Sequence, residues 1–355
     1  MPNNLNYSKL IDFNNKKIKT INSKKNLIKV KIFSNISCFQ LKEYLYYDLF
    51  QNNFGSKISI AEYDNFFDYN KNENNDFLIV FWELSNLIEG SQFKLNSLNH
   101  KELKKFIINV KRKIELFLTQ STKDSIVIFN KFSSANFSRN YFQNDNFKKV
   151  EIELNTFLEK KKNKNLILVD HNQLIAELGK NNSISLRDFY ISKSMYTLNF
   201  YKNYSNIISN IICSKSGLIK KVLVLDCDNT LWKGILVEDG INKIQMDEHS
   251  FPGSIFFEVQ NLIYDLYKKG ILICLNTKNN YLDIKNVFKK KTFLKLNNFA
   301  EIQSNWNDKV SNMKKISQNL NLGLESFVFL DDSDFEINHV KKMLPEVTCF
   351  KVPNK

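Results

Sequence analysis

Short apolar runs punctuate a polar chain at intervals that suit strands alternating with helices. In the first half, Ile28–Phe33, Lys57–Ala61, Asp76–Trp82, Ser125–Asn130 and Asn165–Asp170 are short and rich in Ile, Val, Leu and Phe, which predicts strands. Between most of them lie segments with helical spacing. Leu41, Tyr44, Leu45, Leu49 and Phe50 share one predicted helical face, and His100–Gln120 is the clearest amphipathic stretch. Its apolar side carries Leu103, Phe106, Ile107, Val110, Ile114, Phe117 and Leu118. A short helix over Tyr7–Phe13 is expected within a polar lead-in, 1–26, and another over Tyr196–Ile212 closes the first half. Alternation of this kind predicts a parallel sheet covered on both faces.

Ser214-Lys215-Ser216-Gly217 reads as a linker, so the expected domains are 1–217 and 218–355. A chain of 355 residues suits two domains of ordinary size. Past the linker the run Val222–Leu225 is apolar without alternation, the mark of a strand buried on both faces. An excursion over Trp232–Asp247 is too short for a domain. The remaining pattern predicts a helix Ser254–Lys269 stopped by Gly270, a strand Ile271–Asn276, a helix Tyr281–Lys290 and a strand Phe299–Gln303. A helix Asp308–Asn321, a strand Phe327–Leu330, a helix Glu336–Met343 and a strand Val347–Phe350 complete it.

Four polar groups fall just after these predicted strands or at a helix start: Asp226 with Asp228, Thr277, Lys309, and Asp331 with Asp332. In open α/β sheets chemistry sits beyond the carboxyl ends of strands. A strand end closed by an Asp-Asn turn would account for Asp226–Asn229 alone, but not for four such groups in one domain. Together they supply what phosphoryl transfer needs. Asp226 is placed to be the nucleophile, and Asp228 to protonate the leaving group and later activate water. Asp226, Asp228, Asp331 and Asp332 are candidate ligands for Mg2+. Thr277 offers a hydroxyl and Lys309 a fixed cation to the phosphoryl oxygens.

The order DxDxT, Thr, Lys, DD resembles that of the haloacid dehalogenase (HAD) superfamily. Asp226–Gly234 with Glu238-Asp239-Gly240, Asn305–Lys309 and Phe327–Asp332 are similar to the FkbH-like branch, the subfamily IIIC phosphatases. The resemblance covers nearly all of 218–355. It implies two Rossmann-like three-layer α/β domains with parallel sheets, the second nearly capless, and Mg2+ as cofactor. It also implies a phosphorylated small molecule as substrate, three-carbon or acyl-phosphate in kind. An acyl carrier protein is the implied partner, in polyketide-like or surface-polysaccharide assembly. The first 217 residues resemble SGNH hydrolases, with Ser34 at the nucleophile position. Asp170 and His171 are adjacent rather than in the DxxH spacing of active SGNH esterases, so Ser34 is read as a turn or capping residue. The first domain is accordingly expected to be a non-catalytic binding module.

Two departures stand out. FkbH-like enzymes usually read CSKN where this chain reads Asn276-Thr277-Lys278-Asn279, so the family's thiol is missing. Cys274, on the same strand face, is either its substitute or a core cysteine. The family's DDNP reads Asp331-Asp332-Ser333-Asp334. Longer relatives also carry an acyltransferase-like extension past the position of Lys355. Lys278 reads equally as a solvated lysine or a phosphate contact, Trp232 as packing or as lining of the substrate entrance, Cys227 as packing, and His249 and His339 as surface residues.

Composition narrows the picture further. A net charge of +14 suits an acidic partner, but Lys is spread throughout with Asn and Ile, and no basic stripe interleaved with aromatics suggests nucleic acid. Lys16-Lys17, Lys160–Lys162 and Lys289–Lys291 read as solvated helix ends or loops. The five cysteines are scattered and never in CxxC spacing, which fits a reducing compartment and not a zinc site. Met1–Lys25 lacks the apolar core of a signal peptide, and no run is long enough to span a membrane. A cytoplasmic protein with no membrane partner is expected.

Overall fold

The computed structural model describes residues 6–21, 27–63, 69, 73–88, 90–135, 145–217, 220–290 and 292–353. Residues 1–5 and 22–26 of the polar lead-in, and Lys291 of the Lys289–Lys291 run, lie outside the described residues. The chain divides into two compact units, Met1–Ser216 and Gly217–Lys355.

In the first unit the strands are β1 (Ile28–Ser34), β2 (Ser56–Ile60), β3 (Phe77–Phe81), β4 (Ile126–Asn130) and β5 (Leu166–Val169). They form one parallel sheet in the order β2-β1-β3-β4-β5. The helices α1 (Tyr7–Ile21), α2 (Phe39–Gln51), α3 (His100–Ser121), α4 (Asn146–Lys161), α5 (His171–Leu178), α6 (Leu186–Ser192) and α7 (Leu198–Lys215) surround it. Leu41, Leu45 and Leu49 of α2 and Phe200, Tyr204 and Ile208 of α7 share a core on one sheet face. Val110, Ile114 and Phe117 of α3 and Val150 and Leu154 of α4 pack on the other. The boundaries of α3 follow from local chemistry. Asn99 accepts from Glu102 N, and Glu102 Oε2 accepts from Asn99 N, both at 3.0 Å.

Helix α1 runs eight residues beyond the expected end at Phe13, to Ile21. Asn14, the first residue past the expected end, is fully buried, and its Nδ2 donates to the Glu43 carbonyl at 2.9 Å and Oε2 at 2.8 Å. A polar residue therefore sits on the inward face, where pattern reading expects an apolar one.

The second unit repeats the architecture. β6 (Val222–Leu225), β7 (Leu272–Thr277), β8 (Phe299–Ser304), β9 (Phe327–Asp331) and β10 (Thr348–Lys351) form a parallel sheet in the order β10-β9-β6-β7-β8. Helices α8 (Gly253–Lys268) and α9 (Tyr281–Lys290) contribute Ile263, Ile284 and Phe288 to one core. Helices α10 (Lys309–Leu320) and α11 (Asp334–Met343) contribute Met313, Ile316 and Val340 to the other. Both units are three-layer α/β folds with parallel sheets. The excursion after β6 holds only a four-residue helix, Leu236–Asp239. Among the described residues no helix is long and apolar enough to cross a membrane.

Candidate active site

Strand β6 is buried along its whole length and paired on both sides, to β7 and β9. Asp226 N donates to Leu330 O at 3.0 Å, which holds the next residue in line with the ladder. Asp226 thus emerges between β6 and β9, where the strand order reverses. Crevices of open α/β sheets lie at such switch points. The chain then turns sharply. Thr230 N and Leu231 N both donate to Cys227 O, at 3.2 and 2.8 Å. Asn229 takes φ +50°, a left-handed conformation that asparagine tolerates. Its Oδ1 accepts from Gly234 N at 3.1 Å. Gly234 has φ +108°, and a Cβ there would lie 2.9 Å from Asp239 Oδ2, so only glycine fits.

Lys309 Nζ lies 2.6 Å from Asp226 Oδ1 and 2.5 Å from Asp331 Oδ2, and all three side chains are buried. Lys309 is the first residue of α10, capped by Asp308, whose Oδ1 accepts from Ser311 N at 2.9 Å. A cation at a helix N-terminus opposes the helix dipole. Burial alone would lower the lysine pKa, but the two carboxylates raise it above the ordinary range. Burial pushes Asp226 up to about 7, aided by the charge of Asp331 and opposed by Lys309. Burial, and then Asp331, also raises Asp332, against a hydrogen bond from Asn229. Asp226, Asp331 and Asp332 each present a carboxylate oxygen within 4.8 Å of the others.

Asp228 stands outside that group. Its Oδ1 accepts from Trp232 Nε1 at 2.9 Å and Leu236 N at 3.0 Å, and its Oδ2 from Asn279 Nδ2 at 2.8 Å. The same Asn279 amide donates to Thr277 Oγ1 at 3.0 Å, which ties the end of β7 to the loop after β6. Trp232 is therefore both a core residue and a donor to Asp228. Cys227 lies in the core, and burial pushes its thiol well up.

Asn276, where the resemblance leads one to expect a thiol, is fully buried. Its Nδ2 donates to Lys309 O at 2.9 Å, and its Oδ1 accepts from Asn312 Nδ2 at 3.1 Å. Asn312 Nδ2 also donates to Asn305 Oδ1 at 3.0 Å. This amide chain fixes the start of α10 and with it Lys309. Cys274 is sealed in the core among Val224, Met313 and Phe329, and burial raises its thiol to about 12. Lys278 pairs with Glu336 Oε1 at 2.6 Å. Asn279, Asn312 and Glu336 escape sequence reasoning. Only Asn279 leaves a signal, a short polar residue two places past a strand-end threonine.

A second polar cluster lies at the carboxyl ends of the strands in the first unit. Ser34 Oγ donates to Ile36 O at 2.8 Å and accepts from Ile36 N at 3.3 Å, a local turn. Asn35 Oδ1 accepts from Glu83 N, and its Nδ2 donates to Glu83 O, both at 2.8 Å. The Tyr196 hydroxyl donates to Glu83 Oε1 at 2.8 Å and lies 3.1 Å from His171 Nε2. Asn130 Nδ2 faces His171 Nδ1 at 3.5 Å. With the tyrosine O–H directed at Glu83, the imidazole Nε2–H is the donor to the tyrosine oxygen. Burial pushes Glu83 up to about 8 and His171 down to about 4.

No family model matches the sequence, and no curated protein matches it. Among solved structures the chain is similar to the N-terminal part of the protein BF1531 from Bacteroides fragilis, which contains a phosphatase domain and is complexed with Mg. The two share 23% identity over 99% of this chain and 94% of that chain, with a TM-score of 0.84. That likeness shows the fold. An uncharacterised protein from Corynebacterium glutamicum matches at 10% identity over 38% of this chain and 86% of that chain, with a TM-score of 0.26. The HAD family enzyme bt-2542 from Bacteroides thetaiotaomicron, complexed with magnesium and inorganic phosphate, matches at 12% over 38% and 94%, with a TM-score of 0.27. Neither of these two carries an argument.

Proposed function

We propose that the second unit is a magnesium-dependent phosphatase or phosphotransferase of the HAD type that works through an aspartyl-phosphate on Asp226. The observation that carries this reading is the buried Lys309 bridging Asp226 and Asp331 at the switch point, with Asp332 beside them. A donor set made only of carboxylate oxygens suits a hard divalent cation, so Asp226, Asp331 and Asp332 are the residues that would hold Mg2+. The ion would supply charge neutralisation on the phosphoryl oxygens.

The remaining chemistry belongs to the chain. A carboxylate oxygen of Asp226 attacks phosphorus in line, and the bond from phosphorus to the leaving oxygen breaks with its electron pair on that oxygen. Asp228, oriented by Trp232, Leu236 and Asn279, gives the leaving oxygen its proton. It then takes a proton from the water that attacks the phospho-Asp226, releasing phosphate. Lys309 and the Thr277 hydroxyl bind the phosphoryl oxygens, and Asn276 holds the lysine in place.

The FkbH-like resemblance supports a phosphorylated three-carbon or acyl-phosphate substrate and an acyl carrier protein as partner. Asn276 in place of the thiol, with Cys274 sealed, favours phosphate release over transfer through an enzyme thioester. In the first unit, Ser34 bonded to its own turn and His171 bonded to Tyr196 support a non-catalytic module. The test is phosphate release from sugar phosphates, phosphoglycerates and acyl phosphates, with and without Mg2+. Release should require the metal and fall on the order of 10⁴-fold in Asp226→Asn. Undiminished turnover in that variant would sink the reading, and silence across the panel would favour a scaffold role.

A further inference from the structure

The chain has three tryptophans, and two of them, Trp82 and Trp232, are fully buried. Trp306 is 62% exposed. Single exposed apolar residues are ordinary on protein surfaces, but few are fixed as this one is. The loop after β8 is laced to the loop after β7 by three hydrogen bonds. Asn305 N donates to Thr277 O at 3.2 Å, Ser304 Oγ to Asn279 O at 2.7 Å, and Trp306 Nε1 to Asn280 Oδ1 at 3.2 Å. The residue before Trp306 accepts from Asn312 in the helix that begins with Lys309. The residues just before Trp306 are thus tied to Thr277, Asn279 and the Lys309 helix, and the indole N–H is satisfied by Asn280. Its remaining surface has only apolar contact to offer. Rigid aromatics of this kind, at low entropy cost, are what binding sites use as anchors.

Building on the phosphatase reading, we infer that Trp306 is the wall against which the substrate's leaving group rests, and that this group presents a ring face to the indole. The substrate class is then a phosphate monoester of a cyclic alcohol, sugar or aryl, in place of the three-carbon or acyl-phosphate class that the FkbH-like resemblance supports. Thr277, Lys309 and Asp226 deal with the phosphoryl end. Trp306 sets which alcohol or phenol is accepted. Its contact is made alike in the ground and transition states, so it acts on KM and not on kcat.

Two measurements decide this. In Trp306→Ala, KM for hexose phosphates and phenyl phosphate should rise about tenfold at unchanged kcat, while KM for acetyl phosphate and glycerol phosphate stays put. Trp306→Phe should restore the wild-type values. A uniform change across the four substrates, or none, overturns the proposal while leaving the phosphatase reading intact. The second measurement needs no turnover. Because Trp82 and Trp232 are buried, acrylamide quenching of tryptophan fluorescence reports on Trp306. In Asp226→Asn, saturating hexose phosphate or phenyl phosphate should protect Trp306, and inorganic phosphate should not. Equal protection by all three, or protection by none, refutes a leaving-group wall. Protection confined to one ring-bearing phosphate identifies the sugar or the aryl class. Protection by rings in a protein that turns over no phosphate would leave the wall standing and remove the phosphatase.

Discussion

Each unit carries a buried acid at the reversal point of its sheet, and the two acids keep different company. Asp226 has a lysine 2.6 Å away and two more carboxylates beside it. Glu83 has the Tyr196 hydroxyl at 2.8 Å, a neutral histidine, and the rings of Phe81, Tyr201 and Tyr204 around them. Burial raises Asp226 to about 7, and Lys309 opposes that rise, which leaves the acid able to ionise near neutral pH. A hydroxyl partner leaves burial in control, and the acid keeps its proton. The same place in the same architecture holds a lysine-bridged carboxylate cluster in one unit and a sealed, hydrogen-bonded acid in the other. What separates them is one counter-charge.

Removing that counter-charge should break the contrast most severely. Lys309→Met leaves Asp226 and Asp331 buried without their cation. In metal-free solution the second unit should lose about 3–5 kcal/mol, as after breaking other buried ion pairs. Denaturant unfolding measures it, and phosphate release should fall in parallel. Unchanged stability would mean that the two acids do not depend on Lys309.

Glu83→Gln tests the other side. Folded Glu83 holds its proton up to about pH 8, whereas the unfolded chain releases it near 4.5. The folded state therefore binds more protons between those values. The stability associated with Glu83 is fully present below about pH 4.5 and declines by about 1.4 kcal/mol per unit up to pH 8. In the glutamine variant this decline should be absent, so the difference in stability between variant and wild type should change by about 1.4 kcal/mol per pH unit across that window, with phosphate release unaffected. An identical slope in both proteins would show that Glu83 ionises freely. Asn276→Ala should be milder, lowering kcat about tenfold through a displaced Lys309. A pH profile that keeps its shape while kcat drops marks a positioning residue. Ser34→Ala should be the quietest change, costing about 1 kcal/mol for its turn, with activity and fluorophosphonate labelling both unmoved.

Much of this contrast was written in the pattern of the chain. The inner strands β3, β6 and β9 announce themselves because strands inside a parallel sheet read as unbroken apolar runs, whereas the edge strands β2 and β8 are interrupted by polar residues. Asp226, Thr277 and Asp331 stand at the ends of apolar strands, and Lys309 opens a helix. What stayed hidden depends on pairing at a distance. Nothing in the spacing says that Asp228 turns away from the other acids to meet Asn279, because that requires β7 to lie beside β6. Asn14 and Asn276 are polar residues on inward faces, and their partners, Glu43 and Asn312, come from other elements. The length of α1 was missed for that reason. Glu83 and Tyr196 are 113 positions apart, and no local signal joins them.

The position of β6 in its sheet has a consequence for how the protein is made. Its neighbour β7 follows one helix later, but β9, on its other edge, arrives about a hundred residues downstream. Contacts of such long sequence separation close slowly and late. As the chain is synthesised, β6 waits with an open apolar edge until Phe327–Asp331 has emerged. Asp226 meets Asp331 only then, and Lys309 is pinned by both at the same step. The first unit, whose β1 finds β2 and then β3 within its opening third, has no such wait. Crowding of like charges is thereby deferred to the moment when the lysine that compensates them is already in hand.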